Sequence, residues 1–236
     1  MTKTLVTGAS GFIGRCSLPL LLQAGHEVHA VSLKKNPDIN GINWHQADLK
    51  SGSQTKRLIA DIRPTHLLHF AWCTEPGVFW NDLENNQWVQ ASLELLKTFQ
   101  MYGGERIVFA GTCAEYDWDE EIYSEEGTLS RPATLYGNCK HELQLKANTF
   151  CEKYQLSFCW GRIFFVYGPH EHPARLIPSV INSLLNKKII ECTDGEQYRD
   201  FLYVEDVASV FVALLCNKVT GIVNIGSGES RMLKNI

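Results

Sequence analysis

The chain opens on a short apolar run, Lys3-Thr4-Leu5-Val6, that feeds directly into Thr7-Gly8-Ala9-Ser10-Gly11-Phe12-Ile13-Gly14. The run is β-leaning, and Cys16 to Ala24 beyond the glycines reads as a helix. Strand, glycine-rich turn and helix in that order constrain the fold more than any other feature. Gly8 permits a tight turn, Gly11 lets the backbone approach a pyrophosphate, and Gly14 lets helix and strand pack closely. The N–H groups and positive dipole end of that helix then face the phosphates. The spacing is Gly-x-x-Gly-x-x-Gly, not the Gly-x-Gly-x-x-Gly of the general dinucleotide fingerprint, and such a turn can also be purely structural. Its place directly after the first strand favours a nicotinamide dinucleotide.

Apolar strand-like runs then alternate with helical stretches, the pattern of a doubly wound parallel α/β sheet of Rossmann type. Strands are expected at Glu27–Ser32, Ile42–His45, His66–Phe70, Arg106–Ala110, Ser157–Ile163, Ile189–Glu191 and Ile222–Ile225. Helices are expected at Ser53–Ile62, Asn85–Tyr102, Tyr136–Tyr154, Leu176–Leu185 and Val204–Leu215. Residues 1–165 read as the dinucleotide-binding domain. Residues 166–236 read as a small mixed substrate-binding lobe with returning Rossmann elements. The insertions Trp72–Asp82, Tyr116–Arg131 and Tyr167–Pro173 follow strand ends, where ligand crevices form in open sheets.

A net charge of −4 offers no basic surface for nucleic acid or an anionic membrane. No apolar run reaches the roughly 18 residues that span a bilayer, and the N-terminus lacks a signal-peptide layout, so a cytoplasmic protein is expected. Eight cysteines without a Cys-x-x-Cys pair read as free, mostly buried thiols, with no zinc site.

Tyr136 and Lys140 lie four residues apart at the start of a predicted helix, on one face. A lysine ammonium beside a phenol is expected to lower the phenol's pKa, so that the tyrosine exchanges a proton with a hydroxyl or carbonyl. The same lysine can hold the nicotinamide ribose. The pair lies just beyond a strand that ends in Ala110-Gly111-Thr112.

These segments, with Ala47-Asp48-Leu49, His69-Phe70-Ala71, Val166-Tyr167-Gly168-Pro169, Arg199-Asp200-Phe201-Leu202-Tyr203-Val204-Glu205-Asp206 and Asn224-Ile225-Gly226-Ser227-Gly228, resemble the extended short-chain dehydrogenase/reductase family. The resemblance is to its NAD-dependent epimerase/dehydratase branch, which acts on nucleotide sugars, and covers nearly the whole chain. It implies that Thr112 hydrogen-bonds the reacting sugar oxygen, Tyr136 is the acid/base and Lys140 its partner. It implies a cofactor site of Gly8, Ser10, Gly11, Phe12, Ile13 and Gly14, with Asp48 and Leu49 at the adenine and Phe70, Ala71 and Trp72 along the dinucleotide. Arg199 would reach the nucleotide diphosphate, and Cys113 and Phe165 would line the substrate. A homodimer through the 85–102 and 136–154 helices is expected, as is a C-terminal lobe left incomplete at Ile236, since members of the branch continue further. Read without the resemblance, Asp48 also suits a helix cap, Thr112 a turn and Arg199-Asp200 a surface ion pair.

Departures from the pattern select among reactions. The 4,6-dehydratases follow the hydroxyl residue with an Asp-Glu pair, and here Cys113 and Ala114 stand there, with Glu115 one residue too late. Dehydration is therefore disfavoured. Cys113 could be a reactive thiol, one place out of register with the cysteine of epimerase-reductases, and a buried, inert thiol is the favoured reading. The family's asparagine before Val-Tyr-Gly-Pro is Phe165, which reshapes nucleotide binding. The second strand ends without a carboxylate, and Ser32, Lys34 and Lys35 could bind a 2′-phosphate or be solvated surface groups. NADP is favoured, with NAD the alternative. Trp72, Phe79, Trp80 and Trp88 could stack on a base or sugar or pack a core. The acidic Glu115–Glu126 stretch reads as a solvated loop, and His170 and His172 as loop histidines near a substrate phosphate or idle. The expected activity is reduction of the 4-keto group of a nucleotide-activated deoxysugar. A 4-epimerase is the enzymatic alternative, and a non-catalytic dinucleotide sensor the alternative of another class, against which Tyr136 and Lys140 argue.

Overall fold

A computed structural model of the chain describes residues 2–34, 40–118, 122–190 and 192–236. It begins with β1 (Lys3–Thr7), α1 (Gly14–Gln23), β2 (Glu27–Ser32), β3 (Ile42–Gln46), α2 (Gly52–Ile62), β4 (His66–His69), α3 (Glu84–Met101) and β5 (Arg106–Thr112). After a 3-10 turn at Cys113–Glu115 come α4 (Leu135–Tyr154), β6 (Ser157–Ile163), β7 (Phe165–Tyr167), α5 (Leu176–Leu185), β8 (Tyr198–Tyr203), α6 (Val204–Cys216), β9 (Gly221–Ile225) and β10 (Ser230–Met232).

Seven strands form one sheet in the order β3-β2-β1-β4-β5-β6-β9, every pair parallel. Parallel sheets need helices on both faces, so their central strands read as continuous apolar runs. Strand alternation then sorts neighbouring residues to opposite sides. Leu5, Leu67, Ile107 and Phe109 face Ile59, Leu95, Phe99 and Leu143 of the α2, α3 and α4 layer. Val6, Val28, Leu68 and Val108 face Leu21 of α1 and Phe211 of α6. The chain winds outward from β1 to β3, then returns to β4 on the other side of β1. That reversal opens a crevice between the C-terminal ends of β1 and β4.

A second sheet, β10-β8-β7, pairs β7 and β8 in parallel and β10 antiparallel to β8. It holds Phe165 and Arg199 beside the ends of the large sheet. The strand expected over Ile189–Glu191 does not form: residues 188–190 are irregular, Glu191 lies outside the described residues, and Ile189 is 97% exposed with no strand beside it. Among the described residues, no helix is long and apolar enough to cross a membrane, and no cluster of His, Cys, Asp or Glu could hold a metal ion.

Candidate active site

The glycine turn occupies the crevice, and close approach explains its glycines. Gly8 has φ +65, and a Cβ there would lie 2.7 Å from the Ala71 nitrogen at the end of β4. A Cβ on Gly14 would lie 2.2 Å from the Gly8 carbonyl oxygen, to which the Gly11 N–H also donates at 2.9 Å. The first turn of α1 is left open: its cap residue Ile13 places no side-chain hydrogen bond on it, and it carries no acidic residue. Such a turn can receive a pyrophosphate on backbone N–H groups, so the residues present fit a dinucleotide. Beneath it, buried His69 joins the Thr7 hydroxyl (Nδ1, 2.6 Å) to the Ser92 hydroxyl (Nε2, 2.8 Å), and Thr7 Oγ1 accepts from the Ala71 N–H at 3.4 Å. Burial pushes His69 down to about 3, so the ring stays neutral.

The remaining expected cofactor residues line the same edge. Phe70 packs edge-on against Phe211 at 4.8 Å, and Leu49 lies in the core. The Asp48 carboxylate accepts from the Lys50 N–H at 2.9 Å, an Asx turn that leads into α2. The Ser32 hydroxyl donates to the Lys34 carbonyl at 2.5 Å, while Lys35 lies outside the described residues.

Thr112 ends β5, and Tyr136 and Lys140 approach it from the first turns of α4. Lys140 is buried, with Nζ donating to the Ala110 carbonyl at 2.9 Å and resting 3.9 Å from the centre of the Trp72 ring. Tyr136 is enclosed by Phe79, Trp80 and Trp72 at 4.9, 5.8 and 6.3 Å between ring centres, all edge-on, and its N–H donates to the Trp80 carbonyl at 3.0 Å. Asn85 holds this wall together, accepting from Trp72 Nε1 at 2.8 Å and donating to the Phe79 and Asp82 carbonyls. Two protonation states follow. Burial holds the Tyr136 phenol above its usual range, with its hydrogen bond to Thr112 pulling the other way. Burial pushes the Lys140 ammonium down to about 7, opposed by the charge of Glu115. The expected lowering of the phenol by the lysine is thus corrected: desolvation dominates, and the ammonium is engaged by Ala110 and Trp72. The arrangement offers a neutral phenol able to give a proton, beside a hydroxyl that can hold the acceptor.

Glu115 requires a second correction. It is not part of a solvated loop but fully buried, paired with equally buried Arg162 at 2.9 Å. Asp119, Glu120 and Glu121 lie outside the described residues. All eight cysteines are free, and burial pushes the Cys113 thiol up to about 12, which leaves it inert.

Arg199 is gripped between the Phe165 and Trp118 rings, at 5.0 and 5.4 Å. Asp200 instead accepts from the Ser227 and Gly228 N–H groups at 2.7 and 2.9 Å, which gives the Asn224–Gly228 motif its local role. Across the mouth, Arg175 lies 5.3 Å over Phe79, and His172 approaches Glu75 at 3.8 Å. The sequence signal missed Glu115, Arg162, Asn85 and Arg175; only the Thr-x-x-Glu capping-box spacing pointed to the first.

A model of the NAD dependent epimerase/dehydratase family matches residues 4–226. The chain is 29% identical to a UDP-glucuronate 4-epimerase of Thermodesulfobacterium geofontis, covering 96% of this chain and 75% of that protein. It is 26% identical to a dTDP-D-glucose 4,6-dehydratase of Mus musculus, covering 95% of this chain and 68% of that one. Among solved structures it is similar to the Thermus thermophilus UDP-glucose 4-epimerase in complex with NAD. There the TM-score is 0.87 and identity 26%, over 99% of this chain and 80% of that one.

Proposed function

This chain belongs to the NAD dependent epimerase/dehydratase family, and we propose that it reduces the 4-keto group of a nucleotide-activated sugar. A bound nicotinamide dinucleotide supplies the hydride for such a carbonyl. The turn from Gly8 to Gly14, with Ala71 and Trp72, holds that dinucleotide, and Lys140 holds its ribose. Thr112 hydrogen-bonds the sugar C4 oxygen and Tyr136 gives it a proton as negative charge develops there. Arg199, fixed between Phe165 and Trp118, meets the nucleotide diphosphate with its guanidinium fork.

The observation that carries the reading is the meeting of Tyr136 and Lys140, from the first turns of α4, with Thr112 at the end of β5. Burial against Phe79, Trp80 and Trp72 raises the Tyr136 phenol, which favours its giving a proton to a sugar oxygen as that oxygen gains charge. Dehydration is disfavoured because Cys113 and Ala114 offer no carboxylate and Glu115 is locked to Arg162. The second reading is a 4-epimerase, favoured by the activities of the T. geofontis and T. thermophilus relatives. NAD is the cofactor held by the latter, and NADP is the alternative that a second strand ending without a carboxylate accommodates.

The discriminating experiment offers NADH and NADPH with dTDP-4-keto-6-deoxyglucose, followed by loss of nicotinamide absorbance. In parallel, UDP-glucose and UDP-glucuronate are offered with NAD, followed by NMR for the C4 epimer. Net cofactor oxidation is the expected result. Epimer formation without net oxidation would replace the reductase with the second reading.

A further inference from the structure

The end of β5 rests on a buried carboxylate. Glu115 Oε1 accepts from the Thr112 N–H at 2.8 Å and from Trp160 Nε1 at 2.9 Å, while Oε2 accepts from Arg162 Nε at 2.9 Å. Arg162 continues to the Ser130 hydroxyl at 2.9 Å and lies 4.3 Å from the centre of the Tyr116 ring. Gly111 makes the room: a Cβ there would fall 2.1 Å from Trp160 Nε1 and 2.8 Å from Glu115 Oε1. Apolar side chains of similar volume often hold a core as well as a buried ion pair does, so stability alone is a weak account of this unit. What the unit holds is the backbone of one residue. With its N–H on Glu115, Thr112 places Oγ1 to accept from the Ala114 N–H at 3.2 Å, beside the Tyr136 phenol.

We propose that Glu115, held by Arg162 and Trp160, is a positioning residue that aims the Thr112 hydroxyl at the sugar oxygen. It touches neither sugar nor dinucleotide and acts only through Thr112. The inference rests on the reading of Thr112 and Tyr136 given above.

The test is a double-mutant cycle between E115Q and T112A, read as kcat and KM with dTDP-4-keto-6-deoxyglucose and NADPH or NADH. UDP-glucose and NAD are used if epimerisation is the activity found, and Tm is recorded throughout. Misaiming a contact group by an ångström costs up to about a hundredfold in rate. E115Q is therefore expected to lower kcat about tenfold to a hundredfold with KM within about twofold. In the T112A background the same change is expected to alter kcat by less than about twofold. Should E115Q not fold, W160F removes one donor from the carboxylate and leaves the ion pair, with a smaller loss that again vanishes in T112A. An E115Q or W160F penalty that persists undiminished in T112A overturns the inference while leaving the function standing. A T112A variant as active as wild type removes Thr112 from the chemistry, and the inference with it.

Discussion

Replacing Lys140 with methionine is expected to stabilise the dinucleotide-free protein at neutral pH, by an amount that shrinks as pH rises. Lys140 is 4% exposed, and burial lowers its pKa from 10.5 to about 7. Between those values the unfolded chain binds a proton that the folded chain does not, so raising the pH stabilises the native state. Below about pH 7 both states are protonated and the full cost of the buried ammonium is present. At about 1.4 kcal/mol per pH unit, that cost is about 5 kcal/mol. Methionine fills similar volume on the Trp72 face without charge, but leaves the Ala110 carbonyl without its donor, a loss of about 1–3 kcal/mol. The net gain expected for K140M is about 2–4 kcal/mol at pH 7. The gap closes, and reverses to the lost hydrogen bond alone, as pH nears 10. Urea midpoints for both proteins at intervals across that range would measure it. A difference independent of pH would refute the assignment of a buried, titrating lysine, as would a wild type that loses ground to K140M on going from neutral to alkaline pH.

Gly14→Ala places a methyl group 2.2 Å from the Gly8 carbonyl and is expected to cut dinucleotide affinity at least about a hundredfold, read by calorimetry. Tyr136→Phe is expected to leave dinucleotide and nucleotide-sugar affinities within about twofold while turnover falls about a hundredfold to ten-thousandfold. Arg162→Met leaves the Glu115 carboxylate buried and unpaired, an expected loss of about 3–5 kcal/mol in urea denaturation. Simultaneous replacement of Glu115 by methionine should recover only part of it, because the Thr112 N–H and Trp160 Nε1 lose their acceptor. In a thiol titration of the native protein, exposed Cys192 should react promptly, Cys216, whose thiol is pushed up by burial, more slowly, and buried Cys113 only on unfolding.

The large sheet was legible because its strands bury both faces. Pairs such as Leu5-Val6, Leu67-Leu68 and Ile107-Val108 supply apolar side chains to two helix layers at once, and the helix ends between them fall within about two residues of the expected positions. The strands β7 and β10, of three residues each, are too short to show a period, and β8 carries Arg199-Asp200 in place of apolar alternation. In the candidate site, Thr112, Tyr136 and Lys140 could be placed together because β5 and the start of α4 are adjacent in the crossover. The protonation state of Tyr136 could not be read. It depends on Phe79 and Trp80, from an insertion whose path no periodicity constrains. Glu115 was misread for a related reason: an acid at the head of an acidic run looks solvated until Arg162, from β6, arrives beside it.

Isotope transfer tests the central claim most directly. Nicotinamide dinucleotide reduced with deuterium at C4 is incubated with dTDP-4-keto-6-deoxyglucose and either wild-type protein or Y136F, and the sugar is read by NMR. Deuterium at sugar C4 with wild type, and at least about a hundredfold less in a Y136F that still binds both partners, is the expected result. Absence of transfer with wild type, or transfer undiminished in Y136F, would contradict a reduction in which Tyr136 gives the proton.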